Sequence, residues 1–311
     1  MLNGSRRRVL AAIALLCAAA SPALAAPLKW KPPTLVNPVV ITIGAGDVHN
    51  RISTSQDCIL RWPTTKHVGT VWIEGCHNLV SIGGWNSIAQ SSNHTNSAVA
   101  RILYLSATTG VAHIEGLLGD ASSGGMSDGI DIEAPKATVQ IENVRIDGIY
   151  GYNDQFHADC LQPFGGVKSL RIDRFTCRTA YQGLSIWPVA ASPRGWTADI
   201  EHTNIITFGP DLNGSHNTGG YVYWPCSDKA CTNGALTSLN EVYLQPRPSH
   251  TFTTTVYSPS TAVWSISAGV PAMIFPNLPI VGHVVQGPPP TGDFVPSGVA
   301  GVHYVSPGYI S

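Results

Sequence analysis

Between residues 70 and 245 apolar and polar positions alternate in short runs. Stretches such as "TVQIENVRI" (138–146) and "SLRIDRFTC" (169–177) place an apolar residue at every second position, the period of a β-strand. One type of run ends in Ile plus an acid: Ile73-Glu74, Ile114-Glu115, Ile141-Glu142, Ile172-Asp173 and Ile200-Glu201, with a degraded copy that carries Glu241. The acids recur at a loose period of about thirty residues. A second type precedes each copy: "ARILYLS" around Leu103, "SDGIDIE" around Ile130, "ADCLQPF" around Leu161, "YQGLSIW" around Leu184 and "GGYVYW" around Val222. Gly, Asn and Pro clusters between the runs mark turns. No amphipathic helical pattern interrupts the middle of the chain.

Two strand types in fixed order, copy stacked on copy, predict an all-β solenoid, a single-stranded parallel β-helix. Residues 57–244 form this body, 26–56 cap its first coil, and 245–311 supply further strands (251–257 and 262–267) and a Pro/Gly-rich tail packed along the helix. The strands "VQIENVRI" and "LRIDRFTC", with a polar residue at the bend between two apolar pairs, resemble the coils of the right-handed parallel β-helix superfamily of pectate lyases and polygalacturonases. That resemblance implies a right-handed coil and action on a polysaccharide. "VWIEGCHN" differs from the pectate-lyase Trp-Ile-Asp-His motif, and neither paired arginines nor Gly-His-Gly is present, so the subfamily stays open.

The 311 residues carry 18 Lys+Arg against 19 Asp+Glu, and 31 Gly with 23 Pro fit a turn-rich β protein. Without a basic run there is no electrostatic footprint for nucleic acid or anionic membrane. The start, "SRRRVLAAIALLCAAASPALAA", has a basic head, an apolar stretch too short to span a bilayer, and Ala23-Leu24-Ala25 as a cleavage pattern. It reads as an export signal over 1–25, twin-arginine or general, and places the protein in the periplasm or outside the cell. Cys17 follows a residue too large for a lipobox. The six remaining cysteines favour disulfides in that compartment. Proximity suggests Cys58 with Cys76, Cys160 with Cys177, and Cys226 with Cys231, one of the fifteen connectivities that six cysteines allow. No Cys/His cluster suggests zinc. "NHT" at Asn93 and "NGS" at Asn213 match glycosylation acceptors by form alone.

If Ile130 and Ile132 point inward, alternation turns Asp131 and Glu133 outward. The next coils would then add Gln162 and Ser185 beside Asp131, and Phe164 and Trp187 beside Glu133. The turns entering these strands bring Asp128, Tyr152, Asp154, His157, Asp159, Tyr181 and Gln182. Carboxylates, amides and rings on one face suit a sugar chain. Asp128, Asp131, Glu133 and Asp159 can provide the two carboxyl groups that glycoside hydrolysis needs. Elimination from a uronate instead needs a base, His157 or Tyr181, and a group such as Gln162, Arg178 or a bound cation to neutralise the substrate carboxylate. The expected substrate-binding set is Tyr152, Asp154, Gln162, Arg178, Gln182, Trp187 and Tyr223. Carboxylates outnumber Lys and Arg in the strip, which favours hydrolysis; a Lys or Arg facing the groove would favour elimination. His113 and His202, and the recurring acids Glu74, Glu115, Glu142, Asp173 and Glu201, read as coil structure. No cofactor is expected; calcium is possible at 120–133, which is acidic but lacks the spacing of a calcium loop. The expected protein is a polysaccharide-degrading monomer, with a non-catalytic glycan-binding or surface-structural solenoid as the alternative.

Overall fold

A computed structural model describes residues 27–88, 101–123, 128–151, 157–187, 195–209, 220–232, 234–248 and 250–310. The alternating runs form strands joined into a 20-stranded, mostly parallel sheet. Among the described residues no helix is long and apolar enough to cross a membrane.

Pairing follows three ladders. The first joins Val39–Thr42, Cys58–Arg61, Leu79–Ile82, Val111–Glu115 and then 138–142, 169–173, 197–201 and 236–240. The second joins Val48–Arg51, Val71–Glu74, Arg101–Ser106, 128–133, 161–166, Leu184–Ser185 and Tyr223–Trp224. The third joins His67–Val68, Trp85–Ser87, Leu118–Asp120, 145–149, 175–179, 203–207, 242–245 and His283–Gln286. The long strands Asp128–Ile149 and Leu161–Thr179 each cross all three ladders in turn. Parallel pairing therefore begins before residue 57 and continues past 244, beyond both ends of the expected body.

The apolar positions stack across the ladders. Ile141, Ile172, Ile200 and Leu239 form one buried column, and Ile146, Cys177, Ile205 and Leu244 another. Each such side chain contributes about 1.5–3 kcal/mol by leaving water. The corner between the first and third ladders falls directly after the acid. There Gly116, Asn143, Arg174, His202 and Glu241 all have left-handed backbones. Glycine is needed at 116, because a Cβ would overlap the Tyr304 ring.

Two expectations about the repeat need correction. Glu115, Glu142, Asp173 and Glu201 share one rung position, but the next residue in that column is Asn240, and Glu241 lies one place later. Glu74 is on the second ladder, between Arg51 and Ser106. The acid column is covered by the two ends of the chain. Leu28 bridges Tyr309, the Lys29 N–H donates to Glu142 at 2.7 Å, Lys29 Nζ bonds Glu201, and Tyr309 donates to Glu115 at 2.8 Å. In the C-terminal segment, Asp293 accepts from Arg145 and Asn204 of the third ladder. Residues 251–257 were expected as a strand, but hold the short helix Phe252–Thr255, where threonine side chains cap the local N–H groups. Val263–Ser267 is a strand, paired antiparallel with Val270–Ile274.

All three cysteine pairs are at bonding distance, as expected for an oxidising compartment. Cys160 and Cys177 are fully buried and staple the second ladder's entry to the third ladder. Replacing both with Ala is expected to cost about 2–4 kcal/mol in urea unfolding. The Cys226–Cys231 pair closes a separation of 5 residues rather than 17, and its removal should cost less.

Candidate active site

The second ladder builds the site. Ile130 pairs with both Leu103 and Leu161, and Asp131 pairs with Tyr104 and Gln162. Asp128 occupies the rung of Arg101, and its Oδ1 accepts the Asp159 N–H at 2.8 Å. These contacts bring three carboxylates together: Asp128, Asp131 and Asp159 are 4%, 1% and 1% exposed. They were expected on an open face and are buried, because neighbouring side chains on that face of the sheet cover one another. Arg101 Nε is 2.6 Å from Asp131 and 3.7 Å from Asp128, and the Ser185 hydroxyl donates to Asp159.

Burial disfavours three ionised carboxylates beside one guanidinium. Asp128 is pushed up to about 7, by burial first and then by the charge of Asp131. Asp159 is raised well above the carboxylate range by burial and by Asp128. Asp131 is also raised by burial, with Arg101 pulling the other way. Among the described residues, one oxygen on each of Asp131 and Asp159 has no side-chain hydrogen-bond partner.

Arg101 was absent from the expected set, although it is the most consequential partner in the cluster. Aligning "ARILYLS" with "SDGIDIE" rung by rung puts it at the place of Asp128. It is held by a stack of rings on successive rungs. His49 lies flat on Trp72 at 3.7 Å, Trp72 meets Tyr104 at 4.9 Å, and the Arg101 guanidinium sits 4.9 Å over Tyr104. Trp72 Nε1 donates to Ser106, and the Tyr104 hydroxyl donates to Glu133. Beside this stack a cleft of about 560 Å³ is lined by Arg51, Trp72, Glu74, Ser106, Glu133 and Lys136, a usual size for a ligand site.

The remaining candidates divide. Gln162 is on the Asp131 rung and half-buried; Gln182 is buried. His157 is exposed, and its ring is 5.8 Å from that of Tyr181, which is buried. Arg247, also buried, donates to the Tyr181 carbonyl at 3.3 Å. Trp187 is half-buried with its ring 5.1 Å from Trp224. Tyr152 and Asp154 lie outside the described residues, as do Asn93, Asn213, and 124–127 of the calcium candidate.

Three placements differ from expectation. Tyr223 points into the core: it pairs with Leu184, is fully buried and meets Phe275, while Trp224 takes the outer position one residue on. Arg178 is on the third ladder and lines a different cleft with Tyr150 and Asp147. Phe164 does not sit beside Glu133, because the strand bulges after Gln162 and Glu133 pairs with Gly166. Among the described residues, Asp173, Glu201 and His202 are close enough to share an ion, yet Arg174 and Lys29 already compensate the two acids. No family model, curated protein or solved structure matches the chain, and the geometry of the carboxylate cluster alone carries its functional reading.

Proposed function

We propose that the chain is a right-handed parallel β-helix of the pectate-lyase and polygalacturonase kind, exported, and that it hydrolyses glycosidic bonds of a polysaccharide at Asp128, Asp131 and Asp159. The observation that carries this reading is the cluster itself, three buried carboxylates sharing one guanidinium. A fold gains nothing from such a cluster, whereas a glycosidase needs one carboxyl protonated and another ionised at the same pH.

Asp128, pushed up to about 7, keeps a proton near neutrality and is the general acid toward the leaving oxygen. Asp131 is held toward its ionised form by Arg101, and its Oδ1 has no side-chain partner among the described residues, so it is the nucleophile or base. Asp159, bonded by Ser185, tunes the pair. The oxygens of Asp128 and Asp131 that meet Arg101 Nε lie at 3.7 and 2.6 Å from it. They are therefore nearer each other than the ~6.5 Å lower bound of an inverting pair, and retention of anomeric configuration is expected. Because the three carboxylates are covered, a sugar reaches them only when the site opens.

Arg101 does not turn the reading toward elimination. Its charge is engaged by two carboxylates and is not available to neutralise a uronate. The test is incubation of the mature protein with a panel of neutral and acidic polysaccharides, following reducing ends, unsaturated uronates by absorbance, and the anomer formed by NMR. New reducing ends without unsaturation are expected; unsaturated products would replace hydrolysis with elimination.

A further inference from the structure

The cleft beside the ring stack has an unusual charge balance for a polysaccharide site. Resting on the reading above, we propose that it binds an uncharged sugar chain and discriminates against uronates. Arg51 donates to Glu74 at 2.8 Å, and His49 bonds the same carboxylate at 2.8 Å. Arg101, at the end of the stack, is committed to Asp131 and Asp128. Lys136 is the one lining cation without an ion pair among the described residues, and it is exposed. Glu133, also exposed, lines the same cleft, and its carboxylate accepts from the Tyr104 hydroxyl.

A polyuronate brings a carboxylate with every sugar and needs a matching series of uncompensated cations. This cleft offers a single one. Along its floor Arg51, Glu74, Ser106 and Glu133 occupy successive rungs, so acids recur where a chain lying along the solenoid axis would pass. Glu74 is compensated by Arg51 and His49, so Glu133 is the acid that accepts hydroxyl hydrogens and repels carboxylates here. The rings do not change this balance. His49 is stacked on Trp72, Tyr104 is tilted against it, and the Trp72 indole N–H is already given to Ser106. Specificity here comes from polar groups that recognise hydroxyls and a repulsive element against acidic sugars.

The test uses matched ligands: glucan, mannan and xylan oligosaccharides, with the two hexose series each compared with its C6-oxidised uronate form. Binding is measured by calorimetry on Asp128→Asn, so that ligands are not consumed. At least one neutral hexose ligand is expected to bind 10-fold or more tightly than its oxidised counterpart at low salt, and the gap should narrow as salt rises. Glu133→Gln should narrow it further by strengthening binding of the oxidised form. Tighter binding of a uronate form, lost in Lys136→Ala, overturns the proposal while leaving a carbohydrate-active protein in place. Absence of binding to every ligand overturns the polysaccharide reading and this proposal with it.

Discussion

Asp128→Asn is expected to abolish cleavage and, at pH 8, to make the protein more stable. Removing a general acid costs about 10²–10⁴-fold in rate. The stability gain follows from linkage. The folded pKa of Asp128 lies at about 7, above the ordinary 3.8, because burial and the neighbouring Asp131 oppose ionisation. Between those values the folded chain binds more protons than the unfolded one, so stability is full below pH 3.8 and falls as pH rises through about 7. A shift of this size corresponds to a loss on the order of 4 kcal/mol, shared with the coupled carboxylates. Asparagine carries no such penalty and keeps an oxygen for the Asp159 N–H. Urea unfolding at pH 4.5 and 8 should show the variant gaining on the parent as pH rises, and the parent's activity should decline above about pH 7 as its acid deprotonates. A variant that unfolds more easily at both pH values would make Asp128 a structural capping group.

The buried apolar column was legible because parallel pairing repeats its contacts: Ile141, Ile172 and Ile200 each precede an acid, and backbone pairing stacks them on successive strands. The match of Asp131 to Gln162 was legible for the same reason, since neither strand has bulged before that point. What followed was not. The extra residues after Gln162 shift Phe164 away from Glu133, and a slip of one residue exchanges Tyr223 for Trp224. Both depend on local backbone geometry that period-2 alternation does not encode. Glu74 has the same Ile-acid signature as Glu115 but belongs to another ladder, because a two-residue motif marks the end of a strand and not which face of the coil it lies on. Burial was hidden too. Alternation says that Asp131 leaves the core, but not that Arg101 and its stack of rings cover it once outside.

Arg101→Met carries the second large effect, with the opposite dependence on pH. The methionine fills much of the same volume and can lie on Tyr104, so the loss isolates the charge. With Arg101 gone, Asp131 loses its 2.6 Å partner while remaining 1% exposed, and Asp128 loses the guanidinium that pulls its pKa down. Breaking a buried ion pair from one side costs about 3–5 kcal/mol, because the remaining charge must either stay unpaired or take up a proton. At pH 8 that full cost is expected in urea unfolding. As pH falls through about 7 Asp128 takes up its proton, less charge is left to compensate, and the variant should approach the parent. The same change raises the carboxylate pKa values further, so whatever activity survives should require lower pH than the parent. The two substitutions thus read one cluster from both sides: removing an acid relieves the excess negative charge, and removing the guanidinium exposes it. Combining them should recover more of the stability lost in Arg101→Met at pH 8 than Asp128→Asn gains on its own, since without the guanidinium one fewer buried carboxylate is left uncompensated, whereas independent sites would give a simple sum.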